Sequence, residues 1–208
     1  MRLIIFTLMV CLAWGTPTHA AGLFGFGEYQ RNSLRVFVKW TGIWPRAERQ
    51  KADQSTYCPP KALRPCGPQE FESILSNLPA EQGMEQLNAV NLAFNRMTYI
   101  TDPINWGVPD FWATVYEFLS RDGDCEDYAI AKYAALKRLG VPPENMRIVV
   151  VDDLNLQTAH AVLMVEMDDQ RWILDNQVNV VLPDTAIHHY RPIYSINETA
   201  WWQHAVRR

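Results

Sequence analysis

The hydrophobic period of this chain changes at Gly140-Val141-Pro142-Pro143. Before that point apolar residues recur every three or four positions, and after it they alternate or run together in short β-branched blocks. Such a chain is confined to helices first and adjacent strands afterwards, which defines an α+β domain with an antiparallel sheet. On the helical side, the spacing predicts helices over 33–50, from Pro68 through Leu78, over 84–97, and over 111–119 behind an Asp110 cap. A further alanine-rich helix runs from Cys125 to Gly140, with acids in its first turn and Lys137-Arg138 in its last, as the helix dipole favours. On the strand side, 147–151, 160–167 and 171–175 read as strands, the last two joined as a hairpin around Asp168-Asp169, and 178–182 adds a possible fourth. Residues 22–32, rich in glycine, read as irregular, and 51–68 as a proline-rich loop.

The first twenty residues stand outside this scheme. Arg2 precedes an apolar run from Leu3 to Trp14, and Thr18-His19-Ala20 offers a small-residue exit, which together are the parts of a secretory signal peptide. The run is short for a bilayer core of about 30 Å. Residues 1–20 are therefore expected to be a leader and 21–208 a single exported domain. Of four cysteines, Cys11 would leave with the leader. Cys58 and Cys66 bracket a proline-stiffened loop that one disulfide would close in an oxidising compartment. Cys125 is then the odd thiol, and is either buried and inert or reactive. The balance of 19 Lys+Arg against 23 Asp+Glu, a net charge of -4 with no basic run, argues against nucleic acid as a partner.

Cys125 opens a helix, where unpaired N-H groups and the dipole favour a thiolate. It requires a base. His188, His189 and His204 lie in poorly patterned segments, whereas His160 opens a strand and is held on a rigid element. Asp175 ends the partner strand and is the candidate to orient the imidazole. If Asp168-Asp169 is a two-residue turn, Met167 faces Gln170, Val162 faces Asp175, and His160 becomes a diagonal neighbour of Asp175 on one face. A three-residue loop would put them on opposite faces unless the ladder carried a bulge. Taken singly, such a cysteine is more often a small buried residue, a strand histidine structural, and an aspartate after a strand a turn residue. In this order along the chain they make a nucleophile, base and orienter.

Asp122, Asp124, Glu126 and Asp127 flank the thiol and would raise its pKa, opposing the helix terminus. A bound cation would reverse that field. Hard carboxylate oxygens on a glycine-containing turn suit calcium better than zinc. The spacing does not match the Asp-x-Asp-x-Asp-Gly calcium loop, and solvated acids capping the helix dipole are the alternative.

The string Gly123-Asp124-Cys125-Glu126-Asp127-Tyr128-Ala129, with His160 and Asp175 downstream and Asn91, Tyr99 and Trp112 upstream, resembles the bacterial transglutaminase-like cysteine proteinases, the LapG family of periplasmic adhesin-processing proteases. The resemblance implies a papain-like, transglutaminase-type core with Cys125 as nucleophile, His160 as general base and acid, and Asp175 as orienter. It implies a calcium (Ca2+) site that uses Asp124 and Glu126. It also implies a periplasmic endopeptidase that cuts the N-terminal region of a large surface adhesin at a di-alanine site, dispersing a biofilm. The partner implied is an inner-membrane cyclic-di-GMP receptor that sequesters the protease. The Cys125 N-H would serve as one oxyanion donor, with the Trp106 indole a candidate for the second. A crosslinking transglutaminase with the same triad, and an inactive binding module of the same fold, are the competing functions.

Overall fold

The computed structural model describes residues 22–52 and 66–206; the expected leader and Cys58 lie outside the described residues. Cys66 is disulfide-bonded. The helices are α1 (Val38–Ala52), α2 (Gly67–Ser76), α3 (Met84–Phe94), the single turn α4 (Asp102–Asn105), α5 (Val115–Arg121) and α6 (Cys125–Arg138). The strands are β1 (Gly27–Arg31), β2 (Met146–Asp153), β3 (Thr158–Met167), β4 (Gln170–Leu174), β5 (Leu182–Pro183), β6 (Tyr190–Ile196) and β7 (Trp201–Ala205). They form a seven-stranded sheet in the order β1-β7-β6-β2-β3-β4-β5 with antiparallel pairings throughout. The α+β class follows the switch in period, and so does the order of elements from α1 onward, while β1 precedes it.

Helix α6 is the central element. Every residue from Asp127 to Leu136 is buried, so the helix has no solvent stripe and must be enclosed on all sides. Its alanines let α3, α5, β2 and β3 approach closely. Alternation along the strands sends Met146, Ile148, Leu163, Val165 and Leu174 into the core around α6. Val149, Val151, Val162, Met164 and Ile173 go to the opposite face, where Leu23, Ile187 and Tyr190 complete a smaller cluster.

The β3–β4 turn has the predicted two residues. Asp168 and Asp169 both take positive φ, 54° and 57°, as a type I′ hairpin requires, and aspartate tolerates that region better than most residues. Met167 pairs with Gln170 and Leu163 with Leu174. Extending the ladder by one step sets Val162 opposite Asp175.

Three expectations are corrected. The helix after Asp110 starts at Val115, because Thr114 and Glu117 form a reciprocal capping box. Residues 111–113 stay out of the helix because carboxylates take their N-H groups: Phe111 donates to Asp102 at 2.5 Å and Ala113 to Asp127 at 2.7 Å. Asp110 itself pairs with Lys39. Second, residues 27–31 form an edge strand whose partner, β7, lies at the far end of the chain. Third, 178–182 contributes only the start of the two-residue β5. Asn197, in the sequon Asn197-Glu198-Thr199, is 2% exposed. Its carboxamide oxygen accepts from the N-H groups of Thr199 and Ala200, which makes it a turn-forming residue between β6 and β7.

Candidate active site

The turn before α6 is built by a short parallel bridge between Tyr99 and Gly123, closed by Ile100 N-H donating to the Gly123 carbonyl at 2.9 Å. Asp122, at φ 64°, accepts from Thr98 N-H on its side chain and from the Asn105 carboxamide on its carbonyl. These bonds bring residues 98–105 against a helix start more than twenty positions later. Gly123 is obligatory: a Cβ there would stand 2.2 Å from Asp127 Oδ2.

Cys125 follows as the first residue of α6 and is the free thiol among the described residues. Its Sγ-H donates to Glu126 Oε2 at 3.3 Å. Burial pushes the thiol pKa up, Glu126 and Asp124 push it further, and the Ala161 N-H opposes them. The acids and burial therefore outweigh the helix terminus that the sequence alone places in favour of a thiolate. The thiol meets β3 at Ala161, the residue next to His160. His160 Nε2 is 2.9 Å from Asp175 Oδ1, with both side chains almost fully buried. Nε2 bonded to the carboxylate leaves Nδ1 for the other side of the ring. Asp175 Oδ1 also accepts from Gln177 N-H at 2.9 Å, and Oδ2 accepts from the Tyr190 hydroxyl at 2.5 Å. Burial alone would raise this carboxyl. The bonds from His160, Tyr190 and Gln177 nonetheless hold it below its ordinary value.

The structure joins His160 to Asp175 at one end of the hairpin and sets the Cys125 thiol against Ala161, the residue next to that histidine. His204 is buried on β7, with Nε2 3.0 Å from Ser195 Oγ; burial and then Arg147 and Arg171 lower its pKa to about 4. The Trp106 indole N-H is buried without a hydrogen-bond partner, and its ring packs 4.4 Å from that of Phe111.

The acids form two groupings, each with ligand atoms within 4.8 Å of one another: Asp102, Asp124 and Asp127, and Asp102, Asp110 and Glu126. The expected pair Asp124 and Glu126 is thus divided between them, and Asp102, the shared member, is added. Asp102 lies in the Thr101-Asp102-Pro103 stretch, which looks like linker; its clue was an acid at a helix N-terminus, but the bridge that delivers it is non-local. In the first grouping one oxygen of each residue, Asp102 Oδ1, Asp124 Oδ1 and Asp127 Oδ2, is buried with no hydrogen-bond partner. The remaining oxygens accept from backbone N-H groups of Phe111, Asp102 and Ala113. Burial raises all three carboxyls, and burial followed by Asp124 and Asp127 pushes Glu126 up to about 9. Oriented, unpaired, hard oxygens fit a divalent cation such as calcium.

A cysteine at the start of a buried helix, packed on an antiparallel sheet that carries histidine and aspartate, fits the transglutaminase-like cysteine proteinases. Residues 50–207 match the family model for the bacterial transglutaminase-like cysteine proteinases, BTLCP, and the chain belongs to that family. Solved structures similar to it include those of LapG. A calcium-bound LapG from Legionella pneumophila is 31% identical with a TM-score of 0.61, covering 76% of this chain and 86% of that one. Another LapG structure from the same organism is 34% identical with a TM-score of 0.58, covering 64% and 76%. An EGTA-treated form gives 34% and 0.58, covering 64% and 74%. No curated protein matches the chain.

Proposed function

We propose that this cysteine proteinase is a calcium-dependent endopeptidase acting through Cys125, His160 and Asp175. The observation that carries the reading is the 2.9 Å bond from His160 to Asp175, on the strand that meets the Cys125 thiol. In this mechanism His160 Nδ1 takes the thiol proton, and Cys125 Sγ attacks the peptide carbonyl carbon. The resulting oxyanion lies at the start of α6, where the Cys125 N-H is unpaired by the helix. The tetrahedral adduct collapses as the imidazolium returns its proton to the leaving amine, giving an acyl-enzyme. Water, deprotonated by His160, then hydrolyses the thioester. Asp175 holds the ring in the tautomer with its proton on Nε2 and stabilises the imidazolium.

Asp102, Asp124 and Asp127 would hold the calcium ion, with Glu126 beside them. A divalent cation bound there supplies positive charge that offsets the carboxylate field at the thiol.

The substrate we propose is the N-terminal region of a large surface adhesin, cut at a di-alanine site so that the adhesin is released and the biofilm disperses. Export to the periplasm behind residues 1–20, and sequestration by an inner-membrane cyclic-di-GMP receptor, complete the proposal. The support is family membership and the likeness to LapG, together with the leader-like N-terminal sequence. Incubating the purified protein with a peptide containing Ala-Ala, with calcium and with chelator, tests it. Cleavage that requires Cys125 and calcium is the expected result; incorporation of an added amine without cleavage would establish the transglutaminase instead.

A further inference from the structure

The chain from Asp175 to Val181 leaves β4 and has no partner strand before β5 begins. Its backbone is held instead by three asparagines of one helix. Asn88 Oδ1 accepts from Val181 N-H at 3.1 Å. Asn91 Nδ2 donates to the Val178 carbonyl at 2.8 Å. Asn95, the residue capping α3, donates from Nδ2 to the Asp175 carbonyl at 2.9 Å and to Asn179 Oδ1 at 3.1 Å. Positions 88, 91 and 95 are three and four apart and so share one helix face. A packed helix would ordinarily fill such a face with apolar residues.

The middle rung is locked from behind. Asn91 is fully buried, and its Oδ1 accepts from Lys132 Nζ at 2.7 Å. Lys132 is likewise fully buried, on α6 two turns beyond Cys125. Burying an ammonium in a helix core is costly, and the Cys-His-Asp chemistry does not use it. It does fix the amide: with the ammonium on Oδ1, the NH2 group must face Val178. The flipped amide would set donor against donor and acceptor against acceptor.

We propose that Asn88, Asn91 and Asn95, keyed by Lys132, are positioning residues that fix the Asp175 segment, and through it His160, to the helix that carries Cys125. This rests on the Cys-His-Asp reading given above. The ladder grips the segment at Asp175, Val178 and Val181, and the Asp175 carboxylate is bonded directly to the imidazole. Freed of the ladder, the segment drifts, and displacement of about 1 Å in a catalytic array costs on the order of 100-fold in rate.

Asn91→Asp is the discriminating variant, because it keeps an oxygen for Lys132 and loses the donor to Val178. Asn95→Ala, on a half-buried side chain, is the second and removes the bond to Asp175 itself. The expected result for Asn91→Asp is a folded protein with kcat lowered about 10- to 100-fold at similar KM. The low-field proton NMR resonance of the His160 N-H bonded to Asp175 should be weakened or shifted in both variants. Asn95→Ala should lower kcat in the same direction, and decides the matter if Asn91→Asp does not fold. Unchanged kcat together with an unchanged resonance in the folded variants would overturn the proposal. Cys125→Ala separates it from the reading beneath: cleavage that survives this change sinks the triad, while the resonance in the ladder variants still reports whether the asparagines hold Asp175.

Discussion

Gly123 and Asp127 are in contact through the space a side chain would occupy: a Cβ on Gly123 would lie 2.2 Å from Asp127 Oδ2 and 2.9 Å from its Cβ and Cγ. The glycine lets the buried carboxylate fold back over the turn that precedes the thiol. Gly123→Ala must therefore displace either the turn or Asp127. The expected cost is about 1–3 kcal/mol of stability, as for overpacked core positions, together with weaker calcium binding. Urea denaturation and calorimetric titration of the variant check both, and an unaltered calcium affinity would refute the placement of Asp127 at the ion.

Tyr190 donates to Asp175 at 2.5 Å, so Tyr190→Phe leaves a buried carboxylate oxygen unsatisfied, at a cost of about 1–3 kcal/mol. The sign with pH is fixed. Asp175 titrates below its ordinary value in the folded chain, so its bonds stabilise the fold above the unfolded value of about 3.9 and are lost as pH falls through the folded one. The difference in stability between wild type and Tyr190→Phe should be full near neutrality and shrink in acid below about pH 4. Denaturation curves at a series of pH values measure it.

Calcium should raise the melting temperature of the chelated protein, and magnesium should do so less, because its demand for tight octahedral geometry is harder to meet with three clustered carboxylates. At a hundredfold excess over Kd the stabilisation expected is about 2.7 kcal/mol. Asp102→Asn and Asp127→Asn should each abolish most of the rise, and calcium should accelerate alkylation of Cys125 by iodoacetamide. A thermal shift that persists in both variants would move the ion elsewhere.

Lys132 gives a slope of the same sign in an alkaline range. Burial lowers its pKa to about 7, with Asp175 opposing the shift. Above that value the unfolded chain binds a proton that the folded one does not, so this lysine makes stability rise with pH from about 7 to about 10.4, the unfolded value. Its partner Asn91 is neutral, and Tyr128 lies 5.9 Å away on the same helix. In Lys132→Met the slope should be absent over that interval, which a pH series of urea midpoints would show.

The hairpin was legible because its information is local: alternation fixes which side chains share a face, and two consecutive aspartates accept the positive φ of the turn. The meeting of His160 with Asp175 follows from those two facts. Helix α6 was legible from its alanines and its stop at Gly140. Asp102 was not, because only the Tyr99–Gly123 bridge makes it a neighbour of Asp124. The start of α5 was misplaced for a related reason: the N-H groups of Phe111 and Ala113 bond distant carboxylates, so the nearest capping residue in sequence was the wrong one. Strand β1 is not legible in the sequence because pairing with β7, at the far end of the chain, rather than its own short polar run makes it a strand.

The β3–β4 turn constrains length more than composition. Asp168 and Asp169 could give way to Asn-Gly at no geometric cost, whereas one inserted residue would rotate Asp175 to the other face of the sheet unless a bulge restored the phase. Parity of this turn thus becomes a diagnostic for other chains of the family. A homologue with an odd number of residues there and no compensating bulge should keep the fold and the thiol while having lost the carboxylate behind its histidine.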